Sequence, residues 1–428
     1  MIRRMTAARG IALAAVLGLS LTACAADEPT DESTGASEEM DAEPLTIGTI
    51  LPVTGTLAFL GPPEISGVGL AVQDINEAGG VLGNDVSVEW GDSGDTTDYT
   101  VATGTATDLI GKGVSAVIGA ASSGVSLAVV DTFAEAQVMQ ISPANTAADL
   151  SGYGDYFART APPDTVQGAA LGSLILDGGH MDVAMLVQNE AYGNGLRDYT
   201  QEAIESGGGT VVYGATGEGQ EFPPGETNFG AQVTAALATE PDALVIIAFE
   251  ETVAIVNELV AQGWEFDGTT YFCDGNLSNY GDQFDADTLT GVQGTLPGAQ
   301  ASDDLKQRLT DWYAENEDGE LTDFSYSAES YDATVLAALA AVKGGATDGA
   351  TIAENIKAVS GANGGTEVTS FADGVAALDA GEEINYTGPS GTGPLNEMND
   401  PSSAFIGIYE YGDDNTYTWV REIEGATE

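Results

Sequence analysis

The stretch Leu45-Thr-Ile-Gly-Thr-Ile-Leu-Pro-Val-Thr-Gly55, with the segment from Glu64 to Gly80 behind it, decides the fold. Its first seven residues form a short apolar, β-branched run, which is typical of a buried strand. Apolar side chains then recur at helical spacing, at Ile65, Val68, Val72 and Ile75. The pair Gly79-Gly80 is a helix stop. The stretch therefore predicts a strand, a Gly/Pro loop and a helix over 64–78.

The same strand-then-helix unit recurs along most of the chain. Further strands are predicted at 86–90, 115–118, 138–141 and 156–160 and, beyond Pro162-Pro163, at 183–187, 210–213, 243–248 and 270–273. Such alternation indicates an α/β protein with mostly parallel sheets covered by helices on both faces. The last third instead predicts helices over 303–316, 326–342, 351–359 and 371–378, and a closing hairpin of 406–411 with 416–420.

Composition excludes several classes of function. The 428 residues carry a formal net charge of −56, which is incompatible with a nucleic-acid partner because a phosphate backbone requires a basic face. The single histidine, His180, cannot build a His-rich metal site or a Ser-His-Asp triad. We therefore expect that the protein binds no metal and no cofactor and that it is not an enzyme. An extracellular hydrolase that uses two carboxylates is the enzymatic alternative.

The N-terminus predicts export and a lipid anchor. Basic residues precede an apolar run from Ile11 to Leu21 that is too short to span a bilayer. The sequence Leu21-Thr22-Ala23-Cys24 resembles the lipobox of bacterial lipoproteins, which implies a signal peptide over 1–23 and lipidation of Cys24. An ordinary signal peptide is the alternative. Residues 24–44 are acidic and poor in apolar side chains, which predicts a flexible tether.

Loops at the carboxyl ends of the strands contain the candidate binding residues. Ser122 and Ser123 open a helix, and Thr146 lies in a second small-residue loop, so their hydroxyls and nearby N–H groups suit a carboxylate. Simple helix caps are the alternative reading of these residues. In the second half of the chain, Asp274 suits an ammonium group, and two rings could wall an apolar side chain, those of Tyr192 and Phe249.

The opening stretch and the following motifs resemble type I periplasmic solute-binding proteins of the leucine/isoleucine/valine-binding family. The motifs are Val117-Ile-Gly-Ala-Ala-Ser-Ser123, Ile141-Ser-Pro-Ala-Asn-Thr146, Arg159-Thr160, Tyr192-Gly-Asn-Gly-Leu196 and Gly388-Pro-Ser-Gly-Thr-Gly-Pro-Leu395. The resemblance implies two α/β lobes that close on a ligand: lobe 1 over 45–161 and 295–380, lobe 2 over 162–294 and 381–428. The ligand-binding positions it implies are Ala121, Ser122, Ser123, Ala144, Thr146, Tyr192, Asp274, Phe249 or Glu250, and Leu60, which replaces an aromatic.

The function implied by this resemblance is capture of an amino acid, branched-chain or otherwise aliphatic, for an ABC importer. The expected partners are the ligand and a membrane permease, and the expected form is a monomer held by Cys24 on the outer face of the cell membrane. A sensory receptor of the same fold is one alternative. A binder of an amide, urea or an aromatic acid is another.

Overall fold

Two large sheets and one two-stranded parallel sheet (366–368 with 384–386) organise the residues that the computed structural model describes, 43–426. The predicted signal peptide, Cys24 and nearly all of the predicted tether lie outside these residues. The first sheet has five parallel strands in the order β2-β1-β3-β4-β5. These are β1 (Thr46–Ile50), β2 (Ser87–Glu89), β3 (Ala116–Gly119), β4 (Met139–Ser142) and β5 (Phe157–Arg159). The helices between them are α1 (Gly61–Glu77), α2 (Thr100–Lys112) and α3 (Ser123–Glu135).

The next part of the chain supplies most of the second sheet. Its helices are α4 (Asp164–Asp177), α5 (Ala191–Ser206), α6 (Gly230–Leu237) and α7 (Thr252–Gln262). Its strands are β6 (Asp182–Val187), β7 (Thr210–Tyr213), β8 (Ala243–Ile247), β9 (Thr270–Phe272) and β10 (Gln293–Pro297). All the strands predicted for this region are present, and β10 is an additional strand.

The chain then returns to the first sheet before it closes the second. The returning part contains α8 (Asp303–Asn316), α9 (Ser327–Gly344), α10 (Gly349–Val359), β11 (Thr366–Val368), α11 (Phe371–Asp379) and β12 (Ile384–Tyr386). The closing hairpin is β13 (Ser403–Tyr411) with β14 (Tyr417–Ala426). The second sheet therefore has the order β14-β13-β10-β9-β8-β6-β7, antiparallel only at β13 and β14.

Two apolar cores define the lobes, and their limits differ from those expected. In one core, α1 and the first sheet pack against α8 to α11. The expected boundary at 294 falls inside β10, which pairs with β9 and β13 in the second sheet. The expected boundary at 380 precedes β12 and Leu395, which both still belong to the first core. We therefore define lobe 1 as residues 43–159 with 303–395, and lobe 2 as 164–297 with 403–426.

Three crossing segments, 160–163, 298–302 and 396–402, join the lobes. The Thr160 hydroxyl donates to the backbone oxygen of Glu329 in α9 at 2.9 Å, and the Thr392 hydroxyl donates to the backbone oxygen of Thr160 at 2.8 Å. A fully buried ion pair at 2.6 Å joins Arg159 to Asp400 of the third crossing. These bonds fix the first and third crossings to lobe 1.

The lobes are closed against each other. Four aliphatic side chains of lobe 1, and Tyr326, pack into the same cluster as the core of lobe 2; the four are Leu57, Leu60, Ala121 and Ala144. Each is at most 5% exposed. Apolar contact across the cleft thus contributes to the closed arrangement.

Candidate functional site

The lobe 1 side of the cleft is built from loops that follow β3 and β4. Ser122 is the N-cap of α3, and its hydroxyl accepts a hydrogen bond from the backbone N–H of Val125 at 3.4 Å. The capping interpretation of Ser122 is therefore confirmed. The Ser123 hydroxyl accepts the backbone N–H groups of Thr146 at 3.3 Å and Ala147 at 3.1 Å. Ser123 thus holds the second loop in position and keeps its own proton to donate.

Thr146 has an unused hydroxyl. Its side chain is buried, and the oxygen approaches the carboxyl group of Asp164 without completing a hydrogen bond of good geometry. A buried hydroxyl without a partner is costly, so it is available to a ligand that enters the cleft.

The lobe 2 side is built from residues that follow β6, β8 and β9. Tyr192 lies in the first turn of α5, where its backbone N–H donates to the N-cap side chain of Glu190 at 2.7 Å. Its ring stacks on that of Phe249, with centroids 5.5 Å apart and planes 12° from parallel. Phe249 points into the cleft, whereas Glu250 lines a neighbouring cavity. The two rings form a flat apolar wall opposite the small side chains of lobe 1.

Asp274 is the charged group of the site and is held by three donors. Its Oδ1 accepts from the Tyr192 hydroxyl and from Nε2 of Gln167, both at 2.7 Å. Its Oδ2 accepts from the Tyr326 hydroxyl at 2.7 Å, and this bond crosses from lobe 1 to lobe 2. A carboxylate offers about four acceptor positions, so one remains for a ligand.

Burial sets the electrostatics of this carboxyl group. Desolvation raises the pKa of Asp274, and the hydrogen bonds from Tyr192, Gln167 and Tyr326 oppose that rise. Desolvation also raises the pKa of Asp164 well above its usual range, and the nearby charge of Asp274 raises it further. A cationic group placed beside these two carboxyls would lower both pKa values and favour the ionised forms.

Every residue predicted for the site lines one enclosed space, which we call the inner cavity. They are Leu60, Ala121, Ser122, Ser123, Ala144, Thr146, Tyr192, Phe249 and Asp274. Leu57, Gly275 and Tyr326 complete the lining. The inner cavity measures ≈ 20 Å³, about the space of one water molecule, so the lobes must part to admit a larger molecule.

Five residues that position or line the site were missed at the sequence level. Leu57 lies within the loop predicted around Leu60, and Gly275 follows Asp274 directly. Asp164 and Gln167 share one face of the first turns of α4, just after Pro162-Pro163, and this spacing was a usable signal. Tyr326 precedes α9 with φ of 59°, and no local motif marks it.

A larger outer cavity of ≈ 530 Å³ adjoins the inner cavity across Phe249 and Gly275. It lies between the lobe 1 loop at 55–59 and lobe 2, and Glu226, Glu250 and Glu251 contribute acidic groups to its wall.

Two further features bear on the class of protein. In the described range 43–426, none of the helices combines the length and the apolar character needed to cross a membrane. Within the same range, no group of three or more His, Cys, Asp and Glu side chains could hold a metal ion. His180 lies between α4 and β6, where a ring nitrogen is 2.8 Å from the backbone oxygen of Gly268, away from the cleft.

The family model described as periplasmic binding protein matches residues 44–380. The chain belongs to the periplasmic binding protein family. This is a family of extracytoplasmic binding proteins, and the two-lobed type I fold is the one seen here.

Three relatives of this family member are informative. The Leu/Ile/Val-binding protein homolog 3 of Brucella melitensis is 32% identical over 192 residues, 44% of this chain and 50% of that protein, so the chain matches about half the length of this relative. The chemotactic signal transduction system substrate-binding protein BasB of Halobacterium salinarum is 27% identical over 379 residues, 85% of this chain and 86% of BasB. A branched-chain amino acid transporter substrate-binding protein of Streptococcus pneumoniae, solved with isoleucine, has a TM-score of 0.69 at 21% identity and covers 90% of this chain and 100% of its own.

Proposed function

We propose that this chain captures a free aliphatic amino acid outside the cytoplasm and delivers it to an ABC permease. The observation that carries the proposal is the inner cavity, which is lined by the buried carboxyl group of Asp274 from one lobe, by the hydroxyl-bearing residues Ser122, Ser123 and Thr146 from the other, and by apolar side chains. An α-amino acid offers the complementary arrangement of ammonium, carboxylate and apolar side chain. The family membership and the names of the relatives support this assignment.

The proposed ligand lies with its two charged ends on different lobes. Its carboxylate accepts hydrogen bonds from the hydroxyls of Ser123 and Thr146 in lobe 1, and its ammonium donates to Asp274 in lobe 2. Its side chain packs between Leu60 and the stacked rings of Tyr192 and Phe249. Because the ligand contacts both lobes only when they are closed, it stabilises the closed state by its differential affinity.

The charged and apolar groups of the site together limit the ligand class. The wall facing the rings consists of Ala121, Ala144 and two leucines, which suits an aliphatic side chain. We expect valine, leucine or isoleucine to bind better than aromatic acids, amides or urea, because these compounds lack one or both charged groups of an amino acid.

A thermal-shift screen with these ligand classes tests the proposal. A ligand at 100 times its Kd stabilises the folded protein by about 2.7 kcal/mol, which is readily detected as a rise in Tm. A selective rise with aliphatic amino acids supports the proposal. A rise only with acids that lack an α-amino group contradicts the role of Asp274, and no rise with any of these compounds contradicts the proposed function.

The proposed anchor is tested separately. We expect Cys24→Ala to release the protein from the membrane fraction into the medium, because the lipid would have no attachment site. Mass spectrometry of the N-terminal peptide should show a diacylglyceryl group on Cys24 in the unaltered protein and none in the variant. Unchanged membrane retention of Cys24→Ala would contradict lipidation at this residue.

A sensory receptor is the second candidate, favoured by the match to BasB over most of both chains. The two candidates differ in what a deletion removes. Loss of labelled amino-acid uptake identifies an importer component, whereas intact uptake with loss of attraction to the same amino acid identifies a receptor.

A further inference from the structure

Behind the inner cavity lies a second space between the lobes, which we call the hinge cavity. It measures ≈ 450 Å³ and is bounded by the α8–α9 segment and the start of α9 on one side, and by β10 and the β13–β14 hairpin on the other. Tyr326 lines both the hinge cavity and the inner cavity. The proposed amino-acid site does not use the other residues that line it.

One wall of the hinge cavity is aromatic. Tyr409, Tyr417 and Trp419 lie on the same face of the hairpin, where Tyr409 and Trp419 are cross-strand partners. The rings of Tyr409 and Tyr417 meet edge to face with centroids 5.3 Å apart. Trp419 is 39% exposed, so part of this electron-rich surface is not covered by the protein. Such surfaces attract cations.

The opposite wall is acidic. Asp323 accepts hydrogen bonds from the Tyr417 hydroxyl at 3.0 Å and from the backbone N–H of Ser325 at 2.8 Å. Glu329 is 3% exposed, and no other side chain of the described residues donates a hydrogen bond to its carboxyl group. The Ser325 hydroxyl is also buried without a partner. The cavity therefore places two carboxyl groups and a hydroxyl without a partner next to an aromatic surface.

The charge balance of the walls favours a cation. Lys306 is the one basic residue among the lining residues, and its ammonium already lies 5.8 Å from the centroid of the Phe324 ring. Two carboxyl groups face the same space. The groups that face Glu329 from other elements are Glu64 of α1 and Tyr409 of β13, with Asp332 and Tyr326 in or beside its own helix. Burial raises the pKa of Glu329 to about 8, and a bound cation would favour its ionised form.

We propose that the hinge cavity binds a small organic cation of the quaternary-ammonium class, held by the rings of Tyr409, Tyr417 and Trp419 and by the carboxyl groups of Glu329 and Asp323. A metal ion fits less well, because the described residues contain no group of three or more potential ligands. An organic cation uses the aromatic surface that a hydrated metal ion would leave unused.

Occupancy of the hinge cavity is coupled to closure of the lobes. Lobe 1 supplies Asp323 and Glu329, and lobe 2 supplies the three rings, so the cation contacts its full set of partners only in the closed state. Tyr326 connects the two cavities through its bond to Asp274. Thermodynamic reciprocity then requires the cation and the amino acid to raise each other's affinity by the same factor. This coupling rests on the proposed function, whereas cation binding does not.

Choline is the probe, and 3,3-dimethylbutan-1-ol is its neutral isostere. We expect choline to change the tryptophan emission of the full-length protein saturably, in the absence of any amino acid, and the change to be lost in Trp419→Phe. The neutral isostere should produce no saturable change. We expect Glu329→Gln to weaken choline binding about tenfold, the loss of one charge-assisted contact. Glu354→Gln, which removes an exposed carboxylate of α10, is the matched control and should bind choline normally.

Several outcomes would overturn the proposal. These are equal binding of the neutral isostere, unchanged affinity in both Glu329→Gln and Asp323→Asn, or competition between choline and the amino acid, which would place choline in the inner cavity. Absence of a saturable change with choline would also overturn it. Because the choline titration is done without amino acid, it still tests cation binding if the protein turns out not to bind amino acids. If choline binds and no amino acid does, only the coupling is lost.

Discussion

Replacement of Asp274 by asparagine tests ligand binding separately from folding. The substitution keeps the size of the side chain. It also keeps one oxygen that can accept the hydrogen bonds that Tyr192 and Gln167 donate to Asp274, both at 2.7 Å. It removes the charge that the proposed ammonium group needs. Loss of one partner of a buried, hydrogen-bonded charge pair costs about 2 to 5 kcal/mol, which corresponds to a Kd about 30-fold to several thousand-fold higher.

The stability of the ligand-free protein is expected to move the other way. Desolvation raises the pKa of Asp274, so the ionised group disfavours the fold at neutral pH and asparagine removes that cost. We therefore expect an equal or higher Tm for ligand-free Asp274→Asn, together with loss of the ligand-induced rise. Asp282→Asn, an exposed change of the same charge in the following loop, is the control and should behave as the unaltered protein.

Isothermal titration calorimetry with leucine, isoleucine and valine measures the effect. A Kd within threefold of the unaltered protein would refute the ammonium role of Asp274. An equally large loss of affinity for a carboxylic acid without an amino group would also refute this role, because such a ligand has no ammonium group to contact the charge of Asp274. A lower Tm in the ligand-free variant would show instead that the hydrogen-bond network needs the carboxylate.

Three further changes test other parts of the structure. Thr146→Val should weaken ligand binding about tenfold without lowering the Tm, because it removes a buried hydroxyl that has no partner in the closed protein; calorimetry and a melting curve measure both effects, and unchanged affinity would contradict a contact with the ligand. Gly275→Ala should weaken binding and destabilise the closed protein by about 1 to 3 kcal/mol, because the added Cβ would lie 2.9 Å from the Tyr192 ring and 3.0 Å from Phe249; urea unfolding and calorimetry test this, and full affinity would show that the wall adapts. Burial raises the pKa of Glu329 from 4.5 to about 8, so this carboxyl group holds its proton more tightly in the folded than in the unfolded protein, and stability declines as the pH rises through that range. Glu329→Gln should remove this decline and be more stable than the unaltered protein at pH about 8.5 by on the order of 1 to 4 kcal/mol. Urea unfolding at pH about 5 and 8.5 measures this, and the same dependence of stability on pH in both proteins would contradict the raised pKa.

The fold was predictable where strands and helices are local patterns. β1 is rich in β-branched residues and α1 has apolar residues at helical spacing, so both follow from the sequence. β10 was missed because Gln-Gly-Thr-Leu-Pro contains a glycine and a proline and has no β-branched run. Its strand character comes from its neighbours, β9 and β13, which supply the hydrogen bonds. Missing this strand displaced the expected lobe boundary at 294.

The grouping of the candidate site residues was predicted in two ways, from a rule about parallel sheets and from the resemblance to a known family. The carboxyl ends of parallel strands meet at one edge of a sheet, which predicts that Ser123 and Thr146 approach each other, and they do. That rule does not say which loops of one lobe face which loops of the other. The pairing of Asp274 with lobe 1 came from the resemblance to a known family, since no pattern in this sequence records how two sheets close on each other.

Tyr326 shows why the remaining residues escaped prediction. It lies between α8 and α9, far in sequence from Asp274, and it adopts a left-handed backbone conformation that few non-glycine residues take up. Its importance arises only when the lobes close, because its hydroxyl then reaches across the cleft to a carboxylate of the other lobe. A residue of this kind belongs to neither lobe's binding surface alone. Opening the cleft must break its bond to Asp274, so ligand binding, lobe closure and the contents of the hinge cavity share this one side chain.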